Sequence, residues 1–105
     1  MRTIRRALAA LLLCHPAAAA GDASAPRGRA YAQAHCARCH ALGLEGASPL
    51  RRAPPFRDLA QTFPIDDLAD VLVEGVERRH PAMPDVRLDP ADADDLTAYL
   101  RSLRK

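Results

Sequence analysis

The sequence predicts an all-α fold of about three to four helices. Helix formers run without a breaker through residues 28 to 40, and apolar residues recur at helical spacing in two later stretches. Glycines and prolines cluster over residues 41 to 57, which predicts an irregular loop there. No strand pattern flanks the cysteine pair that ends the first stretch. These observations together favour a small helical domain.

The first twenty residues have the pattern of a secretory leader. Three arginines precede an apolar stretch over residues 7 to 13, and three alanines supply a small-residue cleavage site before Gly21. The apolar stretch is too short to span a bilayer comfortably, so cleavage is favoured over anchoring. We therefore expect a cleaved signal peptide over 1–20, a flexible N-terminal segment over 21–27 and a folded domain over 28–105.

Cys14 leaves one alternative for this leader. Three leucines precede it, as in a bacterial lipoprotein signal, in which Cys14 would become the acylated first residue. Such signals need a small residue directly before the cysteine, and this chain has Leu13 there. Cleavage before Gly21 is the favoured interpretation.

The charge balance changes once the leader is set aside. Three of the 15 basic residues lie in it, so 12 basic residues remain against 13 acidic ones. A net charge near zero gives no reason to expect nucleic-acid binding. About 85 residues without tryptophan form only a thin core, and domains of this size usually need a covalent or metal staple.

Residues 36 to 40 supply such a staple. Their sequence is Cys-Ala-Arg-Cys-His, the attachment pattern of a c-type haem. On a helical turn Cys36 and Cys39 share one face, so both sulfurs reach neighbouring vinyl groups, and His40 follows as a ligand for the iron. A disulfide, a thioredoxin-like thiol pair and half of a zinc site are the alternatives. Covalent haem is favoured because haem c is attached outside the cytoplasm, where the leader directs the chain.

The later elements follow in order along the chain. A second helix is predicted over about 65 to 76, with acidic residues in its first turn and Gly75 near its end. Residues 77 to 88 should be extended, because prolines restrict the backbone on both sides of Met83. The last helix should begin with Asp89 as N-cap and Pro90 in its first turn.

In these residues the chain resembles the class I cytochromes c, in particular the short single-haem bacterial proteins, from Gly28 to about Leu103. The resemblance implies a small cytochrome c fold wrapped around one covalent haem c. Cys36 and Cys39 match the thioether sites and His40 the proximal ligand. Pro54 matches the proline whose carbonyl accepts the hydrogen of the histidine ring. Met83 matches the distal iron ligand.

The same resemblance pairs Gly28 with Tyr99, where the terminal helices cross.

The sequence departs from the family in two places. The family often has an aromatic residue at the position of Ala32, and here Tyr31 stands next to it. The loop from His40 to Pro54 is longer than in the shortest relatives, and its Arg51-Arg52 pair is not a general family feature.

Met83 has two alternatives to weigh. A lone methionine is often a flexible core filler, and His80, three residues earlier, is a rival iron ligand that would lower the potential. Met83 is favoured because it is the only methionine besides Met1 and lies in a proline-braced segment between two helices. His35 should face solvent or pack locally.

With a histidine on one side of the iron and a methionine on the other, the iron has no open coordination position. Such an iron is suited to outer-sphere electron transfer rather than to catalysis. The resulting expectation is a periplasmic electron carrier, not an enzyme, with no membrane span in its mature form. Redox partner proteins would dock transiently at the exposed haem edge, with Arg38, Arg51 and Arg52 as candidate rim residues. A cytochrome subunit of a larger dehydrogenase or oxidase, and a haem enzyme or gas sensor with a displaceable sixth ligand, are the alternatives.

Overall fold

The computed structural model describes residues 13, 24–76, 83 and 86–105. Within them the chain forms four helices: α1 (Ser24–His35), α2 (Phe56–Thr62), α3 (Ile65–Glu74) and α4 (Pro90–Ser102). The described residues contain no strand, so the expected all-α fold is confirmed. None of the helices in the described ranges is long and apolar enough to cross a membrane.

The leader falls outside the described residues except for Leu13, so its cleavage and the fate of Cys14 stay predictions. Helix α1 begins at Ser24 rather than Gly28, so residues 24 to 27 of the segment expected to be flexible form its first turn. Pro26 is tolerated there because the first turn of a helix needs no amide hydrogen. The Arg27 side chain in this turn forms a bidentate salt bridge with Asp95 of α4, and both nitrogen-to-oxygen distances are 3.0 Å.

The first helix also ends earlier than expected, at His35 instead of residue 40. The amide of Ala37 donates to Ala32 O, five residues back, which widens the last turn. The carbonyl of Cys36 then accepts from the amides of both Cys39 (3.2 Å) and His40 (3.0 Å). The haem motif is therefore a tight turn at the helix end.

Helices α1 and α4 cross at Gly28. A Cβ atom built on this glycine would lie 2.0 Å from Asp95 O and 2.9 Å from Leu96 N, so only glycine permits the contact. Ala32 of α1 and Leu96, Tyr99 and Leu100 of α4 are buried in the same core. The small side chains of α1 let the two backbones approach, which makes this crossing the centre of the fold.

Helix α2 was not predicted. The loop expected over 41–57 gives way to a helix at Phe56, which packs its buried residues Phe56 and Ala60 into the core. Arg104 Nε donates to Ala60 O (2.9 Å) and Gln61 Nε2 to Leu103 O (3.1 Å). Seven residues are too few to show a recognisable helical period of apolar residues, which is why the sequence did not predict this helix. So short a helix is not stable alone, and its contacts with the end of α4 stabilise it.

Helices α3 and α4 agree with their expected positions. Helix α3 ends at Glu74, and Gly75 follows with φ of 112°, a conformation that favours glycine. Asp89 is the N-cap residue of α4 and Pro90 its first residue. The amide of Leu88 donates to Leu72 O (2.9 Å), so the chain returns along α3 before it enters α4.

Candidate functional site

His40 is held by the backbone carbonyl of Pro54. Its ring Nδ1 lies 2.8 Å from Pro54 O. Because a carbonyl oxygen only accepts hydrogen bonds, Nδ1 must carry the proton and donate. The lone pair of the neutral ring is then on Nε2, the nitrogen that remains available to a metal.

Phe56 forms the second contact of the His40 ring. The two ring centroids are 5.3 Å apart and tilted by 51°, and the side chain of Phe56 is only 4% exposed. The amide of Phe56 also donates to Ala41 O (2.9 Å), which draws the Pro54–Phe56 segment against the residue after His40. Sequence reasoning did not single out Phe56, although an aromatic residue two positions after Pro54 was the available signal.

The two cysteines occupy different surroundings within the turn. Cys36 packs against the hydrophobic core, and both thiols are free of a disulfide. Burial, and next the neighbouring Cys39, raise the pKa of the Cys36 thiol to about 11. Thiol-disulfide enzymes depend on a lowered thiol pKa, so this environment does not favour the thioredoxin-like alternative. Among the described residues, no three or more His, Cys, Asp or Glu side chains gather as a metal site.

Met83 lies partly buried against the same core as Cys36. Both residues therefore border one apolar interior, although they lie far apart in the sequence. The neighbouring residues, including His80, lie outside the described part of the chain. Of residues 77–88, which were expected to be extended, the structure describes only Met83, at a bend, and 86–88, which belong to neither a helix nor a strand. His35 behaves as expected, since it is exposed and its ring centroid lies 4.4 Å from that of Tyr31.

The loop over residues 41 to 55 is fixed to the haem motif at several points. The amide of Leu50 donates to Cys39 O (3.1 Å), and the amide of Ala41 donates to Ser48 Oγ (3.0 Å). The hydroxyl of buried Tyr99 donates to Leu42 O, which ties the start of the loop to α4. Leu50 and the two arginines after it consequently lie beside the second cysteine.

A surface groove lies away from these residues. It has a volume of about 670 Å³, lies between α3, α4 and the start of α1, and includes Asp66, Asp70 and Asp94 in its lining. None of Cys36, Cys39, His40 or Met83 lines it. Arg101 also lines this groove and is paired with Asp66, so the groove is of mixed charge and lies apart from the candidate haem ligands.

The comparison with protein families supplies independent evidence. The family model for cytochrome c matches residues 25–104, which cover the four helices except for Ser24, the first residue of α1. The match begins within α1, close to the expected domain start at 28. No curated protein and no solved structure matches this chain.

Proposed function

Because the chain belongs to the cytochrome c family, as a class I protein with one covalently bound haem c, we propose that it is a periplasmic electron carrier with His40 and Met83 as iron ligands. Membership in this family makes it a haem-based electron-transfer protein that works with redox partner proteins. When bound, the haem supplies a one-electron ferric/ferrous couple. The finer assignments rest on the following features of the chain.

The hydrogen bond between His40 and Pro54 carries the proposal. It directs Nε2 of the ring toward a ligand and raises the basicity of that nitrogen. Phe56 packs against the ring and restricts its rotation. A neutral histidine held in one tautomer at the end of a two-cysteine turn is the arrangement that a proximal haem ligand needs.

Cys36 and Cys39 would hold the haem through two thioether bonds. The bonds from the amides of Cys39 and His40 to Cys36 O close the turn and keep the three side chains together. The apolar interior beside Cys36 suits a large flat apolar group. The donor set and its surroundings therefore fit the cofactor.

Met83 would supply the opposite ligand. A thioether is a soft ligand that favours ferrous iron and raises the potential. Its place against the core that Cys36 also contacts supports this role. With both axial positions filled, the protein would exchange electrons without binding a substrate, so we infer that it is no enzyme.

The exposed surface favours transient partners over permanent docking. A permanently bound subunit should expose a sizeable apolar patch. In the described folded part, the large exposed aliphatic residues are Leu44, Leu50 and Val73, which lie on two separate elements. The periplasmic location rests on the leader, since haem c is attached outside the cytoplasm.

A redox titration with a carbon monoxide control tests this function. The purified mature protein should take up and release one electron reversibly, and its ferrous form should not readily bind carbon monoxide. Fast carbon monoxide binding by the unaltered protein would contradict the carrier proposal. Such binding would instead favour the alternative of a haem enzyme or gas sensor with a displaceable sixth ligand.

A further inference from the structure

The backbone of Ala41, the residue after His40, is held from two sides. Its amide donates to Ser48 Oγ (3.0 Å), and its carbonyl accepts from the amide of Phe56 (2.9 Å). The Ala41 amide belongs to the peptide unit that joins His40 to Ala41, and a serine hydroxyl has the lone pairs to accept from it. The Ser48 side chain therefore holds the peptide unit directly after the histidine.

The local sequence places the hydroxyl of Ser48 at this peptide unit. Gly46 has φ of 89°, a left-handed conformation that favours glycine, within a stretch of bends over residues 43–46. Pro49 follows Ser48, and a residue before proline is restricted to extended backbone. Ser48 itself is half-buried. Its position is thus fixed by the backbone on both sides.

Two hydrogen bonds join the end of the haem motif to the Pro54–Phe56 segment. One is the bond from Phe56 N to Ala41 O, and the other joins Nδ1 of His40 to Pro54 O (2.8 Å). Pro55 lies between the two anchoring residues with φ of −55°, in the narrow range that a proline ring allows. Because this connection is short and stiff, a shift of Ala41 would change the distance between the His40 ring and the Pro54 carbonyl.

We infer that Ser48 is a positioning residue for the iron ligand His40. By holding the Ala41 amide, its hydroxyl keeps the His40 ring aligned with Pro54 O and keeps Nε2 basic toward a metal. The inference rests on the role proposed above for His40 and adds a residue that acts through it. Ser48 was not among the candidate residues from the sequence, since its bond partner is set by the fold of the loop.

The expected consequence of losing this hydroxyl is electronic. A histidine that donates its Nδ1 proton to a carbonyl has a more basic Nε2, which stabilises ferric iron. In Ser48→Ala the Ala41 amide loses its acceptor, and the bond between His40 and Pro54 O loosens. The ferric form then loses stabilisation relative to the ferrous form, so the reduction potential rises.

Two measurements on the intact holoprotein test this role. The reduction potential of Ser48→Ala should be higher than that of the unaltered protein. In NMR spectra of the diamagnetic ferrous protein, the ring N–H proton of His40 should exchange with solvent about fivefold faster. Ser48→Thr keeps a hydroxyl at this position and should restore both values.

Ser102→Ala is the matched control. The Ser102 hydroxyl also binds a backbone group, the carbonyl of Tyr99, but it does so within α4. The same chemical change there should leave the potential and the exchange of the His40 proton unaltered. If Ser102→Ala moved both readouts as far as Ser48→Ala, general loosening of the fold would account for the change and the inference would be overturned.

The remaining outcomes separate this inference from the function on which it rests. An unchanged potential and exchange rate in Ser48→Ala would overturn the role of Ser48 and leave His40 as the iron ligand. His40 ring signals that are not shifted by the iron in the unaltered ferric protein would overturn the ligation itself, and the role of Ser48 with it.

Discussion

At the scale of single residues, His40 has the best-defined surroundings in the molecule. Pro54 O fixes its tautomer, and Phe56 restricts its ring. The bond to Pro54 spans 14 residues of chain, so no local pattern could predict it. The family resemblance suggested the proline, and the loop tethers that bring it to the ring become visible only in the structure.

Tyr99 offers a test of the hydrogen bonds that hold the loop, since its hydroxyl donates to Leu42 O. Tyr99→Phe should lower the free energy of unfolding by about 1 to 2 kcal/mol, because the partly buried Leu42 carbonyl loses its donor. Chemical denaturation of the holoprotein measures this change. The same substitution at partly buried Tyr31, for which the structure gives a ring contact with His35, is the matched control and should have a smaller effect. Equal losses at both positions would contradict the assigned role of the hydroxyl.

At the scale of helices, the strength of the sequence pattern determined which elements could be predicted. Helix α4 has a residue type typical of the N-cap position, Asp89, and a long apolar period, and its start was predicted correctly, although the Asp89 side chain makes no capping hydrogen bond. Helix α2 is short and depends on contacts with Leu103 and Arg104, which lie more than 40 residues away. The start of α1 was missed because Arg27 finds its partner, Asp95, on α4.

Gly28 should be the least replaceable position in the helix crossing. In Gly28→Ala the new Cβ would clash with the carbonyl of Asp95, and overpacking of this kind costs about 1 to 3 kcal/mol or more. The loss should exceed the gain of about 0.5 to 1 kcal/mol from alanine's helix propensity. Gly43→Ala, where a Cβ would have no neighbour within 4 Å, is the control. A stable Gly28→Ala protein with an unchanged melting temperature would contradict the close crossing.

At the scale of the whole molecule, the haem motif lies between the core and the loop, because Cys36 packs against the core and Cys39 O accepts from Leu50 N. Replacing both Cys36 and Cys39 by alanine should leave a chain that is unfolded and sensitive to proteases, since a small core loses its covalent staple. Circular dichroism and limited proteolysis of the secreted chain measure this. A helical, protease-resistant variant would show that the four helices are stable alone.

The mature N-terminus is a second property of the whole chain. Cleavage at the alanine-rich site should give an N-terminus near Gly21 and remove Cys14. Intact-mass spectrometry of the exported protein measures the mass directly, including one covalent haem. A lipid-modified Cys14 at the new terminus would instead indicate a membrane-anchored carrier.

Ligation of the iron by His40 and Met83 is the central assignment, and an absorption spectrum of the oxidised protein tests it most directly. The unaltered protein should be low-spin and show the weak far-red band of a sulfur-to-ferric-iron bond. Met83→Ala should remove this band and lower the potential, and adding His80→Ala excludes His80 as a replacement ligand. A far-red band that survives Met83→Ala, or a low-spin signature that disappears only when His80 is changed, would contradict the assignment.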